Sequence, residues 1–79
     1  MSKLEDGKYP VSSAKKEGEA DYIFGLDTGQ RIKVNAPQLY EKDYKDCTYV
    51  VIQNEKKSTP ILIYTPYSYK SACNYTVLD

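Results

Sequence analysis

Tyr22-Ile23-Phe24-Gly25-Leu26-Asp27-Thr28-Gly29-Gln30-Arg31-Ile32-Lys33-Val34-Asn35 is the stretch whose reading decides the fold. In an extended chain Tyr22, Phe24 and Leu26 share one face, and Ile23 and Gly25 take the other. Asp27-Thr28-Gly29-Gln30 then breaks the run with turn residues, Gly29 being free to adopt positive φ. Alternation resumes with Ile32 and Val34 inward and charged neighbours outward. Two period-two runs joined by a short Asp/Gly loop predict an antiparallel hairpin over residues 22–35, turning at 27–30. Ala36-Pro37 ends it, because proline has no N–H to give to a ladder.

Working outward, residues 47–53 (Cys-Thr-Tyr-Val-Val-Ile-Gln) are β-branched and aromatic on both faces and read as a central strand. Residues 54–58 form a polar turn, and 61–65 a second buried strand stopped by Pro66. Residues 67–72 read as a turn or short irregular strand, and 73–78 as a closing strand. Towards the N-terminus, Tyr9, Val11 and Ser13 alternate within 8–14, where Pro10 favours a sheet edge. Residues 15–19 read as an exposed loop, and 1–7 as a flexible lead. Leu39, Tyr40 and Tyr44 within 38–46 suit one helical turn or a structured loop. The expectation is a single all-β domain over 1–79, a small antiparallel barrel or sandwich of about five or six short strands.

Residues 22–34, followed by Tyr44-Lys45-Asp46-Cys47-Thr48-Tyr49-Val50-Val51-Ile52, have a recognisable order. They run as a strand, an acidic-glycine turn, a basic-apolar strand, an acidic loop and a valine-rich strand. In this the middle of the chain resembles small five-stranded β-barrels of the Src-homology type, including C-terminal modules of some bacterial envelope lipoproteins. Those modules often carry Gly-Asp before the last strand, where this chain has Lys45-Asp46. Their lipid-bearing cysteine and glycine-zipper segment have no counterpart here. The resemblance implies a fold and carries over no functional residue.

Composition narrows the chemistry. Nine of the 79 residues are tyrosine, against one phenylalanine, no tryptophan and no histidine. Without histidine the chain lacks the side chain most used as a general base near neutral pH, and the commonest metal ligand. Asp27, Asp43 and Asp46 lack the spacing of a calcium loop and read as turn and surface residues. Thr28 and Ser58 read as turn residues too, and Gly25 and Gly29 make no phosphate loop. Cys47 and Cys73 allow two half-buried thiols or one disulfide, and their spacing fits no zinc or redox motif. The expectation is a protein that is not an enzyme, with no catalytic residue, metal or cofactor.

Eleven basic and eleven acidic residues cancel and are interspersed. Phosphate neutralisation drives most non-specific nucleic-acid affinity, so this balance disfavours a nucleic acid as partner. No apolar stretch approaches the ~18 residues of a membrane span. Met1 to Glu5 lack the apolar core of a secretory signal, so the expectation is a cytoplasmic protein of a bacterium or infected host cell. A mature exported domain with an added methionine would read the same way, and only then would Asn74-Tyr75-Thr76 matter as a glycosylation sequon.

The tyrosines divide by position. Tyr22, Tyr49 and Tyr64 fall within strands and are expected in the core with their hydroxyls reaching the surface. Tyr40, Tyr44, Tyr67, Tyr69 and Tyr75 fall in loops or near the closing end, where a thin core cannot take them all. Either they pack under loops or they meet a partner, tyrosine being enriched at binding hot spots. The partner-binding candidates are Tyr40, Tyr44, Tyr67 and Tyr69. The expected function is a protein-binding module whose partner is another protein, an oligomer being compatible with the same surface. By analogy, small inhibitors of host or defence proteins encoded by phages and mobile elements have this form. The alternatives are a barrel stacking single-stranded nucleic acid on Tyr67 and Tyr69 near Lys70, and a soluble module of a bacterial envelope protein.

Overall fold

A computed structural model of the chain describes residues 3–78. In chain order its elements are β1 (Gly7–Lys16), β2 (Asp21–Leu26), β3 (Arg31–Asn35), α1 (Glu41–Lys45), β4 (Tyr49–Ile52), β5 (Ile61–Tyr64), β6 (Tyr69–Ala72) and β7 (Asn74–Val77). The hairpin forms as its alternation dictates. β2 and β3 pair antiparallel, Tyr22 opposite Val34 and Phe24 opposite Ile32, with all four side chains buried. Gly29 turns the chain at φ 92°. Its N–H donates to the Leu26 carbonyl at 2.9 Å, and Leu26 donates to Gln30 at 2.8 Å.

All pairings are antiparallel, in the order β6-β5-β4-β1-β2-β3-β7. β1 serves two neighbours. Gly7 to Pro10 pair with β4, and Val11 to Lys16 pair with β2 across a register shift between Val11 and Ser13. Such a bulge bends a strand, which lets β1 change partner half-way along. Pro10 sits at the handover, and its carbonyl accepts the Asp27 N–H at 3.0 Å. At the far side β6 runs into β7 through Cys73 alone. The two ends of the strand order are therefore covalently joined, and the row of strands returns on itself. Phe24, Ile32, Val34, Val50, Ile52, Ile61 and Ile63 fill the interior.

The all-β single domain stands as expected, and three local readings change. Lys15 and Lys16 belong to β1 rather than a loop, because pairing with Ile23 and Tyr22 outweighs their polar sequence. Among the described residues the strands number seven, since the bend at Cys73 separates β6 from β7. Within the lead, residues 1 and 2 lie outside the described residues, but Leu4 is buried in the core. Asn54 Nδ2 donates to the Leu4 carbonyl at 2.7 Å and to Asp6 Oδ1 at 2.9 Å. The described part of 1–7 is thus tied to the barrel, because an apolar residue there found an open end of the core.

Candidate binding surface

Two tyrosines are buried, and each hydroxyl has a structural use. Tyr22 donates to the Leu39 carbonyl at 3.3 Å. The Tyr75 hydroxyl accepts the Leu4 N–H at 3.1 Å and donates to Asn54 Oδ1 at 2.7 Å. For Tyr75 the sequence leaves packing and partner contact both open. It is buried because β7 alternates and puts Tyr75 and Val77 on the inward face. Tyr9 packs partly against the core and donates to the Glu5 carbonyl at 2.6 Å. Burial, with the Glu5 charge second, raises its phenol above the ordinary value.

Tyr49 and Tyr64 correct the expectation in the other direction. They lie on the outer face, because Val50, Ile52, Ile61 and Ile63 occupy the inward positions of β4 and β5. Their register places Tyr49 opposite Tyr64 and Tyr64 opposite Tyr69. The rings stack across three strands, with centroids 4.7 Å and 5.2 Å apart. Lys8 Nζ lies 4.1 Å from the Tyr49 ring centre and closes one end of the column. Tyr69, at the other end, is 57% exposed.

Beside this column lies a cleft of about 340 Å³ lined by Tyr40, Asp43, Asp46, Tyr67 and Lys70 among others. It forms where α1 meets the bend at Pro66 to Ser68. α1 is a single turn, and Asp43 fixes its start by accepting the Tyr40 N–H at 2.8 Å. The same carboxylate oxygen receives Lys70 Nζ at 3.2 Å. Lys70 also reaches over the Tyr40 ring, 4.6 Å from its centre. Asp43, read on sequence as a turn or surface residue, is therefore a buried anchor between α1 and β6. Tyr40 and Tyr67 stand 73% and 86% exposed on the cleft.

The four candidate tyrosines thus occupy different places. Tyr40 and Tyr67 share the cleft, and Tyr69 lies on the adjoining outer face of β6. Tyr44 stands apart, half-buried, its ring 5.1 Å from that of Tyr22 and packed on the core. Lys70 is the residue that the sequence reading left unconnected to Tyr40 and Asp43. Its spacing of 27 residues from Asp43 is invisible to any local pattern.

Both cysteines are free thiols. Cys47 is half-buried, and loss of solvent pushes its thiol up to about 12. A thiol so protonated near neutral pH is a poor nucleophile. Among the described residues no group of three or more potential metal ligands comes together, and no helix is long and apolar enough to cross a membrane. Neither a protein-family model, nor a curated protein, nor a solved structure matches this chain.

Proposed function

We propose that this is a non-enzymatic protein-binding module whose partner meets it at Tyr40, Tyr67 and Tyr69. One observation carries the reading. Of the four large apolar side chains exposed among the described residues, three are these tyrosines, and they converge on the start of β6. Tyrosine gives a large contact area with few rotatable bonds and is favoured where binding energy concentrates. Asp43 and Lys70 hold Tyr40 before any partner arrives, which lowers the entropic cost of association. The barrel likeness of 22–34 and 44–52 supports the same class of small module at the level of fold alone. A cytoplasmic inhibitor of a host or defence protein, encoded by a phage or mobile element, is the form this proposal takes.

The nucleic-acid alternative has less behind it. Bases stack on open ring faces, but of Tyr67 and Tyr69 the second is already stacked on Tyr64, and Lys70 beside them is paired with Asp43. Affinity capture from the native host with wild type and Tyr67→Ala, quantified by mass spectrometry, tests the proposal. A protein retained by wild type and lost from the variant is the expected result. Retention of single-stranded nucleic acid that collapses as salt is raised would favour the alternative.

A further inference from the structure

Among the described residues, four of the nine tyrosines have one of the chain's own lysines over the ring. Lys3 lies 4.7 Å from the Tyr75 ring centre, Lys8 4.1 Å from Tyr49, Lys16 6.0 Å from Tyr22 and Lys70 4.6 Å from Tyr40. The electron-rich face of a phenol ring attracts a cation and disfavours an anion. Lys70 shows the complete arrangement in the cleft, one ammonium resting on Tyr40 and paired with Asp43 at 3.2 Å. The same cleft presents a second ring and a second carboxylate, Tyr67 and Asp46. Both are exposed, and among the described residues no cation of this chain lies against either.

Resting on the protein-binding reading above, we infer that the cleft receives a cationic side chain from a basic segment of the partner, seated on Tyr67 with Asp46 as its counter-charge. Arginine fits best. Its planar guanidinium stacks on a ring and meets a carboxylate with two parallel N–H bonds, which a lysine ammonium does not. Lys42, also on the cleft, opposes the incoming charge and weakens binding without setting its position. The rings therefore decide the sign of the ligand where the local charges nearly cancel.

The test is a titration with a blocked Gly-Arg-Gly peptide, followed residue by residue in amide NMR spectra, with the citrulline peptide as the neutral counterpart. The arginine peptide is expected to shift the amides of Asp46, Tyr67 and Ser68 saturably, and the citrulline peptide to shift them far less. Asp46→Asn and Tyr67→Leu should each weaken binding by about threefold or more, and Lys42→Gln should strengthen it. The same spectra show whether each variant is folded. Equal responses to the two peptides, shifts centred elsewhere, or unchanged affinity in Asp46→Asn would overturn the inference. So would an oligonucleotide that moves these amides where the arginine peptide does not. Capture with Tyr67→Leu, run in parallel, separates this from the broader reading. If a protein is lost from Tyr67→Leu while the two peptides behave alike, protein binding stands and the cationic site falls. If the arginine peptide binds as described and no captured protein depends on Tyr67, the cationic site stands and the protein-binding reading falls.

Discussion

Gly29 shows how much a single backbone angle can carry. At φ 92° a side chain would be strained, although no atom lies within 4 Å of where its Cβ would go. The cost of Gly29→Val is therefore conformational, about 1–2 kcal/mol. Urea unfolding of that variant should show a lowered midpoint, and a wild-type midpoint would contradict the turn. The two cysteines offer a second residue-scale check. Cys73 is exposed, while the Cys47 thiol is half-buried and pushed up to about 12. Iodoacetamide at mildly alkaline pH should label Cys73 readily and Cys47 slowly in the native protein, with the two rates converging in denaturant. Reductant should leave the melting temperature unchanged. Faster labelling of Cys47, or a melting point that falls with reductant, would run against the structure.

Among the elements, the N-terminal lead is held by the buried Leu4 side chain and by polar contacts. The Tyr75 hydroxyl, Asn54 and Asp6 form one network around Leu4. Tyr75→Phe keeps the ring but leaves the Leu4 N–H and Asn54 without that partner, a loss of about 1–3 kcal/mol. Chemical denaturation of the variant measures it, and an unchanged stability would mean the network is dispensable. Asp6 gives the network a pH dependence. The Asn54 backbone N–H, donating at 3.0 Å, is the main cause holding the Asp6 carboxyl below its ordinary value of 3.8. A depressed folded-state value means the ionised form stabilises the fold above the unfolded-state value. That contribution is lost as pH falls through the lower folded-state value. Asp6→Asn should therefore flatten the acid end of the melting-temperature profile relative to wild type. Parallel profiles for the two proteins would contradict the assignment.

For the whole molecule, what the sequence made legible follows from the range of the forces involved. The hairpin was readable because Tyr22, Phe24, Ile32 and Val34 alternate locally and Gly29 marks the turn between them. The fate of Tyr75, Tyr49 and Tyr64 was not, because which face of a strand is inward depends on neighbours far along the chain. Local pattern put Tyr49 and Tyr64 in the core and left Tyr75 open, and register reversed the first two and buried the third. Of the candidate site, Tyr40, Tyr67 and Tyr69 were recognisable as tyrosines outside the best core positions. Their organisation by Lys70 and Asp43 required β6 to come beside α1. The fold leaves these rings exposed around the start of β6 and buries Tyr22 and Tyr75.

That separation of roles leads to the most direct measurement, the partner affinity and melting temperature of Tyr40→Ala, Tyr67→Ala, Tyr69→Ala and Tyr44→Ala, taken in parallel on a captured partner. The first three should each lose about 1–2 kcal/mol of binding free energy. Tyr40→Ala and Tyr67→Ala should melt like wild type, with only a small decrease for Tyr69→Ala, whose ring stacks on Tyr64. Tyr44→Ala should do the reverse, lowering the melting temperature through its lost contact with Tyr22 and sparing affinity. If Tyr40, Tyr67 and Tyr69 variants bind like wild type, or lose binding only as far as they unfold, the tyrosine surface is not where the partner binds.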